Sequence, residues 1–349
     1  MLDILKIVIP SVLTFFLGIF ITPFFTNIFY KYKMWKKNSR NNDTVSLEFK
    51  NIHEEAKELS TPRIGGIIIW VSVLLTIFVI SLVSEIFKTE LTMKLNFFSR
   101  SQTLIPLATL ILSACIGLVD DMMHILNFSA FAKDNIIYRK FKIILVTLIG
   151  FSISMWFYFK LDMSTVHIPF GGEFSLGLWF IPFFIIVMLA VFSTSVIDGI
   201  DGLSGGVLTT IFTSYAIIAF VNNQIDIAAF CAVVAGGILA FLWFNIPPAR
   251  FYMGETGMLA LTTTLAVIAF LTNSVILLIV IAFPLVITSA SVIIQIISYK
   301  YFNKHRVFKV APLHHHFEAI GWSKEKVVMR YWVVSVVSAI SGTILVLVS

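Results

Sequence analysis

Four clusters of acids and imidazoles interrupt a largely apolar chain. The first is VIDGIDGLSGG, residues 196–206, in which Asp198 and Asp201 are each followed by glycine. The others are GLVDD with Asp120 and Asp121, FYMGETG with Glu255, and APLHHHFE with His314, His315 and His316. A carboxylate beside hydrocarbon is unfavourable unless something pairs with it. Asp198 and Asp201, three apart, share one side if the segment is helical. Their glycines permit tight turns and close approach of a ligand. No Lys or Arg lies in that connection, so the pair reads as ligands for a hard cation. Mg2+ takes one or two carboxylates and completes its shell with phosphate oxygens and water. Imidazoles supply donors to a phosphate. Acids, Mg2+ and imidazoles at a membrane surface describe phosphoryl transfer on a lipid. A carboxylate would free or hold the attacking group.

Plainer readings compete. Asp198 and Asp201 can be N-caps of the helix that follows. Asp120 and Asp121 can end a helix in solvent, although acids there oppose the helix dipole. Glu255 suits the first turn of a helix. Three consecutive histidines can suggest zinc, but adjacent residues seldom all ligate one ion.

These clusters must be held by membrane-spanning elements. The chain has 349 residues, 58% hydrophobic and 13% charged, with a mean hydropathy of +0.95. A soluble domain is nearer a quarter charged. The expected fold is an all-α polytopic membrane protein, one integral domain over residues 1–349. Ten apolar runs fit helices that cross a bilayer: 5–30, 64–87, 103–119, 140–159, 176–192, 205–221, 227–245, 257–272, 275–302 and 328–348. The first is too long for a signal-peptide core. The ninth is long and contains Pro284, so a kink or break is expected there, its far half leaning out along the membrane surface. The fourth connection alternates around Gly171-Gly172, which predicts a small external β-hairpin. Cys115 and Cys231 lie inside apolar runs and read as small buried hydrophobes.

Lys and Arg then assign the sides. Twenty of the 25 fall in odd-numbered connections and four in even ones. The positive-inside rule puts the odd connections in the cytoplasm and both termini outside. All four clusters fall at odd connections, on one face. The net charge of +6 reads as topology and attraction to anionic headgroups, not nucleic-acid binding. A transporter is the other class that intramembrane acids suggest. It would place them near mid-bilayer in two repeated halves, and no such symmetry is visible.

In this order the four motifs, with TPRIGG at residues 61–66, resemble the polyprenyl-phosphate N-acetylhexosamine-1-phosphate transferases. HHHFEAIGW followed by KVVMRYW is most similar to the phospho-N-acetylmuramoyl-pentapeptide transferase branch, and the chain reads as a divergent member. The resemblance implies transfer of phospho-MurNAc-pentapeptide from UDP-MurNAc-pentapeptide to undecaprenyl phosphate. The products are lipid I and UMP. It implies Mg2+, a homodimer, and an active site on the cytoplasmic face of the bacterial membrane. By motif, Asp120 matches the acid that deprotonates or positions the lipid phosphate, and Asp121 its neighbour. Asp198 and Asp201 match the acidic pair beside metal and nucleotide, Glu255 the metal-binding acid, and His314 to His316 the substrate loop. Lys57 or Arg63 supplies the phosphate-gripping cation. Departures are Ser195 and Phe192 where the family has asparagines, Glu255 where it has aspartate, and Met258 where it has serine. They keep two alternatives open: a UDP-GlcNAc transferase for another surface glycan, and a catalytically impaired relative acting as a binding or scaffold protein.

Overall fold

A computed structural model describes residues 2–35, 59–99, 102–126 and 135–349. In chain order its helices are α1 (Leu2–Lys31), α2 (Ile67–Phe87), the short α3 (Glu90–Leu95), α4 (Leu104–Leu126) and α5 (Asn135–Lys160). After a hairpin come α6 (Phe180–Ser193), α7 (Leu203–Val221), α8 (Ile225–Asn245), α9 (Gly254–Leu271), α10 (Leu278–Ile281), α11 (Phe283–Tyr301), α12 (Leu313–Ala319) and α13 (Lys324–Val348). Ten segments among the described residues are long and apolar enough to cross a membrane. The hairpin pairs Thr165–Ile168 with Gly172–Ser175 in antiparallel register, Val166 opposite Phe174.

The middle of the chain is the centre of the bundle. The spanning windows of α7, α8 and α9 are 67%, 78% and 89% buried. α9 packs chiefly on α4, α7 on α8 and α13, and α1 on α8. Burial on all sides explains why α7, α8 and α9 are apolar all round. At the hairpin end of the bundle, Lys6 and Asp226 form an ion pair that ties α1 to the start of α8. Ser11 Oγ donates to the Ala232 carbonyl at 2.7 Å, another α1–α8 tie.

Two expected boundaries move. The third helix does not stop at residue 119. It runs to Leu126, so Asp120 and Asp121 lie inside it and not at a solvated end. Both are 2% exposed. Buried polar residues can continue a helix where protein, not lipid, surrounds them. The ninth span starts at Leu278 and takes the second of its two expected forms, a break. The chain breaks at Ala282, between α10 and α11, and Pro284 stands in the first turn of α11. There its missing N–H needs no partner, so the proline starts a helix instead of bending one.

Candidate active site

The site is assembled around the start of α9. Asp121 Oδ1 accepts from the Glu255 N–H at 3.1 Å, and Asp121 Oδ2 from the Thr256 N–H at 2.9 Å. The Gly254 N–H lies near enough to the Asp198 carboxylate to favour its charged form. Two of the N–H groups that open α9 are thus satisfied by an acid from α4, and a third stands beside an acid of the fifth connection. An anion at a helix N-terminus is favoured by both the free N–H groups and the dipole. Gly254 makes the approach possible. Its φ is +69°, and a Cβ there would collide with the Arg63 carbonyl oxygen and stand 2.6 Å from Asp121 Oδ2. Thr256 Oγ1 donates to the Ala114 carbonyl at 3.1 Å, fixing α9 against α4.

The neighbour of Asp121 points elsewhere. Consecutive side chains on a helix diverge by about 100°. Asp120 Oδ2 lies 2.9 Å from Lys142 Nζ, and Glu255 Oε1 lies 2.9 Å from the same nitrogen. One ammonium from α5 therefore bridges carboxylates from α4 and α9. Without it, two acids would face each other in a water-poor interior, where repulsion is strong. Asp120 Oδ1 and Glu255 Oε2 are buried with no hydrogen-bond partner.

The segment before α2 supplies the next wall. Gly65 N–H donates to the Tyr252 carbonyl and Gly66 N–H to the Met253 carbonyl, both at 2.9 Å; Tyr252 N–H returns to the Pro62 carbonyl at 2.8 Å. This ladder ties TPRIGG to FYMGETG and places Arg63 within electrostatic reach of Asp121 and Asp198. Arg63 is the countercharge that the fifth connection itself lacks. Lys57 lies outside the described residues.

VIDGIDGLSGG is not helical through its acids. A 3-10 turn covers Thr194–Ile197, and α7 begins at Leu203 after Gly202 at φ +79°. Asp198 and Asp201 therefore do not share a helix face, and neither caps α7, whose N-cap Gly202 has no side-chain bond. Asp198 Oδ1 accepts from Ser204 Oγ at 2.8 Å. Burial pushes the Asp198 carboxyl above its ordinary range, against the pull of Ser204 and Arg63. Asp201 Oδ2 accepts from the Ala249 N–H at 3.2 Å. Asn245 clamps the turn, taking the Gly202 N–H at 2.8 Å and donating to the Phe251 carbonyl at 2.9 Å. Trp332 Nε1 donates to the Gly202 carbonyl at 3.2 Å. Ser195 is half-buried in the 3-10 turn, its carbonyl accepting from the Asp198 N–H at 3.2 Å.

The three histidines stand on α12 and separate. The nearest atoms to a Cβ placed on Gly199 would be Nε2 of His314 and, at 2.9 Å, Nε2 of His315. Two imidazoles thus face the exposed glycine between Asp198 and Asp201. His314 is wholly buried and neither ring nitrogen has a hydrogen-bond partner; burial holds its pKa well below the usual value, so it is neutral. His316 turns away, its Nδ1 accepting from the Lys309 N–H at 3.2 Å. Trp322 stacks on Phe317 at 4.6 Å with Arg330 4.2 Å above the indole, bracing α12 on α13.

The structure gathers Asp120, Asp121, Asp198, Glu255 and Arg63 around one helix start, with Asp201, His314 and His315 along the adjoining turn. It leaves His316 at the edge. Lys142, Asn245 and Trp332 complete the site and carried no recognisable spacing. Met258 is 2% exposed within α9, so its departure falls in packing. Among the described residues no group of three or more His, Cys, Asp or Glu is arranged to hold a metal by itself. The unpartnered Glu255 Oε2, with Asp198 from the adjoining turn as second carboxylate, fits Mg2+, which needs only one or two carboxylates when a substrate phosphate supplies the rest.

Comparison with known proteins identifies the family. Residues 103–273 match the model of glycosyl transferase family 4. The phospho-N-acetylmuramoyl-pentapeptide-transferase of Latilactobacillus sakei is 35% identical over 323 residues, 92% of this chain and 93% of the relative. Those of a Geobacillus species, 33% identical over 96% of each chain, and of Listeria monocytogenes, 33% identical over 87% of this chain and 89% of the relative, are similar. A likeness of this extent makes the chain a member of the phospho-N-acetylmuramoyl-pentapeptide transferase family, integral membrane phospho-sugar transferases.

Proposed function

We propose that the protein transfers phospho-MurNAc-pentapeptide from UDP-MurNAc-pentapeptide to undecaprenyl phosphate, giving lipid I and UMP, on the cytoplasmic face of the membrane. The observation that carries this is the Asp120–Lys142–Glu255 bridge with one unpartnered oxygen on each acid. In the reaction an oxygen of the lipid phosphate bonds to the sugar-bearing phosphorus. The bridging P–O bond breaks and its electron pair leaves with UMP.

Asp120 would orient the attacking phosphate or take its proton through Oδ1, which accepts no hydrogen bond and has only the His124 imidazole near it, at 3.9 Å. Lys142 holds Asp120 and Glu255 together and offers positive charge to the phosphates. Arg63 and the two imidazoles at Gly199 would grip the donor's diphosphate, with Asp201 and Ser195 along the same wall. Glu255 and Asp198 would hold Mg2+, which neutralises the diphosphate when bound. Asp121 acts through α9: it fixes the helix start from which Glu255 projects.

The test is a transfer assay on purified full-length protein with undecaprenyl phosphate, Mg2+ and labelled UDP-MurNAc-pentapeptide or labelled UDP-GlcNAc. Label entering lipid from the first donor alone is the expected result. Label from UDP-GlcNAc alone would assign a different surface glycan. Transfer from neither by folded protein would make the chain a binding relative.

A further inference from the structure

We infer that Glu318 is a positioning residue for this transfer: its carboxylate fixes the His315 ring so that Nε2 is presented at Gly199, between Asp198 and Asp201. The inference rests on the transfer reading above and goes beyond it by giving a role to Glu318, the acid of HHHFEAIGW to which that reading assigns none.

Three imidazoles stand in a row, and only His315 has a carboxylate partner among the bonds described. Its Nδ1 lies 2.6 Å from Glu318 Oε2, with the two side chains 14% and 6% exposed. His316 accepts at Nδ1, and His314 bonds at neither nitrogen. Adjacent residues of one sequence run therefore have three different hydrogen-bond states. A buried carboxylate is unfavourable unless it is bonded, so packing alone does not account for glutamate at 318. An ionised carboxylate only accepts. In the proposed arrangement Glu318 accepts and the proton of this contact sits on Nδ1 of His315, a charge-assisted bond whose 2.6 Å length holds the ring plane. Nε2 is then aimed by geometry at the exposed glycine turn. The ring must act there on a phosphate oxygen, as an acceptor of its proton when neutral or as a donor when charged. A carboxylate orienting an imidazole through Nδ1 is the same device that sets the tautomer in acyl-transfer triads.

The experiment uses the full-length protein in detergent, labelled with 15N-histidine. Seven histidines make the spectrum assignable, and His315 is identified by its loss in His315→Gln. The expected result is a proton on Nδ1 of His315 in the wild type that becomes mixed with the other tautomer in Glu318→Gln. A wild-type ring protonated only at Nε2, or one unchanged in Glu318→Gln, overturns the inference. Kinetics give the second arm. Glu318→Gln should lower kcat/KM about 10- to 100-fold, Glu318→Asp should recover part of it, and Glu318→Gln/His315→Gln should be no worse than His315→Gln alone. Losses that multiply in the double variant, with melting temperatures unchanged, would make Glu318 independent of His315 and overturn the inference. If the wild type transfers from neither donor, the transfer reading fails by itself, while the tautomer measurement still decides the role of Glu318.

Discussion

At the scale of single residues, Lys142 decides what the acids can do. Two carboxylates share its ammonium at 2.9 Å each, so each acid loses part of its repulsion from the other and keeps one oxygen open. Asp120→Asn keeps an acceptor for Lys142 but removes the charge and the basic oxygen. It should lower kcat about 100- to 10,000-fold, the range for losing a positioned proton acceptor, with KM for the donor little changed. Release of UMP measures it, and a loss under tenfold would take Asp120 out of the chemistry. Glu255→Gln should instead raise the Mg2+ concentration for half-maximal activity by about tenfold or more, and saturating Mg2+ should recover part of the rate. A curve that does not move would show that Glu255 serves only as the partner of Lys142. The acids were legible in the sequence because carboxylates among apolar runs are conspicuous. Lys142 was not. It is one of several cations in the third connection, 22 residues after Asp120, and charge counting cannot tell an inward-facing lysine from one that faces anionic lipid.

At the scale of elements, the start of α9 is held from outside its own sequence. Its N-cap, Met253, has no side-chain bond. Asp121, from 134 and 135 residues away, takes the place of a local cap, and Asp198 stands beside Gly254. Asp121→Asn would turn an amide N–H₂ toward one of two backbone N–H groups. It should lower stability by about 1–3 kcal/mol, the penalty for an unmet buried donor, and lower activity with it. Thermal unfolding in detergent reads the first effect. Asp120→Asn, which leaves the α9 start bonded, should melt near the wild type; equal losses in both variants would refute the division of labour between the two acids. The helices themselves were readable because about 20 apolar residues in a row can do little else in a bilayer. The end of α4 was not, because Asp120 and Asp121 are buried by protein there, and a helix so covered needs no apolar sequence to continue. Nor was the shape of the DGIDG turn. Spacing alone fits a helix, and only the remote clamps on Gly202 from Asn245 and Trp332 select the turn.

At the scale of the molecule, ten spanning segments alternate direction, so the ends of α4, α6, α8 and α11 lie on one side and the hairpin on the other. The bonds between the first, fifth and seventh connections require that grouping independently of any charge count. The charge count is what supports the proposal that this side faces the cytoplasm. Each Lys or Arg carried across the hydrocarbon costs about 2.5–3.5 kcal/mol, and the odd connections hold sixteen more of them than the even ones. Inverting the protein would carry that excess outward. A thiol-labelling experiment follows, with Cys115→Ala as background because Cys115 is exposed and Cys231 is buried. Glu173→Cys, on the hairpin, should react with an impermeant maleimide in intact cells. Lys304→Cys, on the site side, should react only after the membrane is opened. The reverse pattern would put the carboxylates, the lysine bridge and the histidine helix outside the cell. A UDP-sugar made in the cytoplasm could not reach them there, and the proposed donor would fail on topology before any question of chemistry arose.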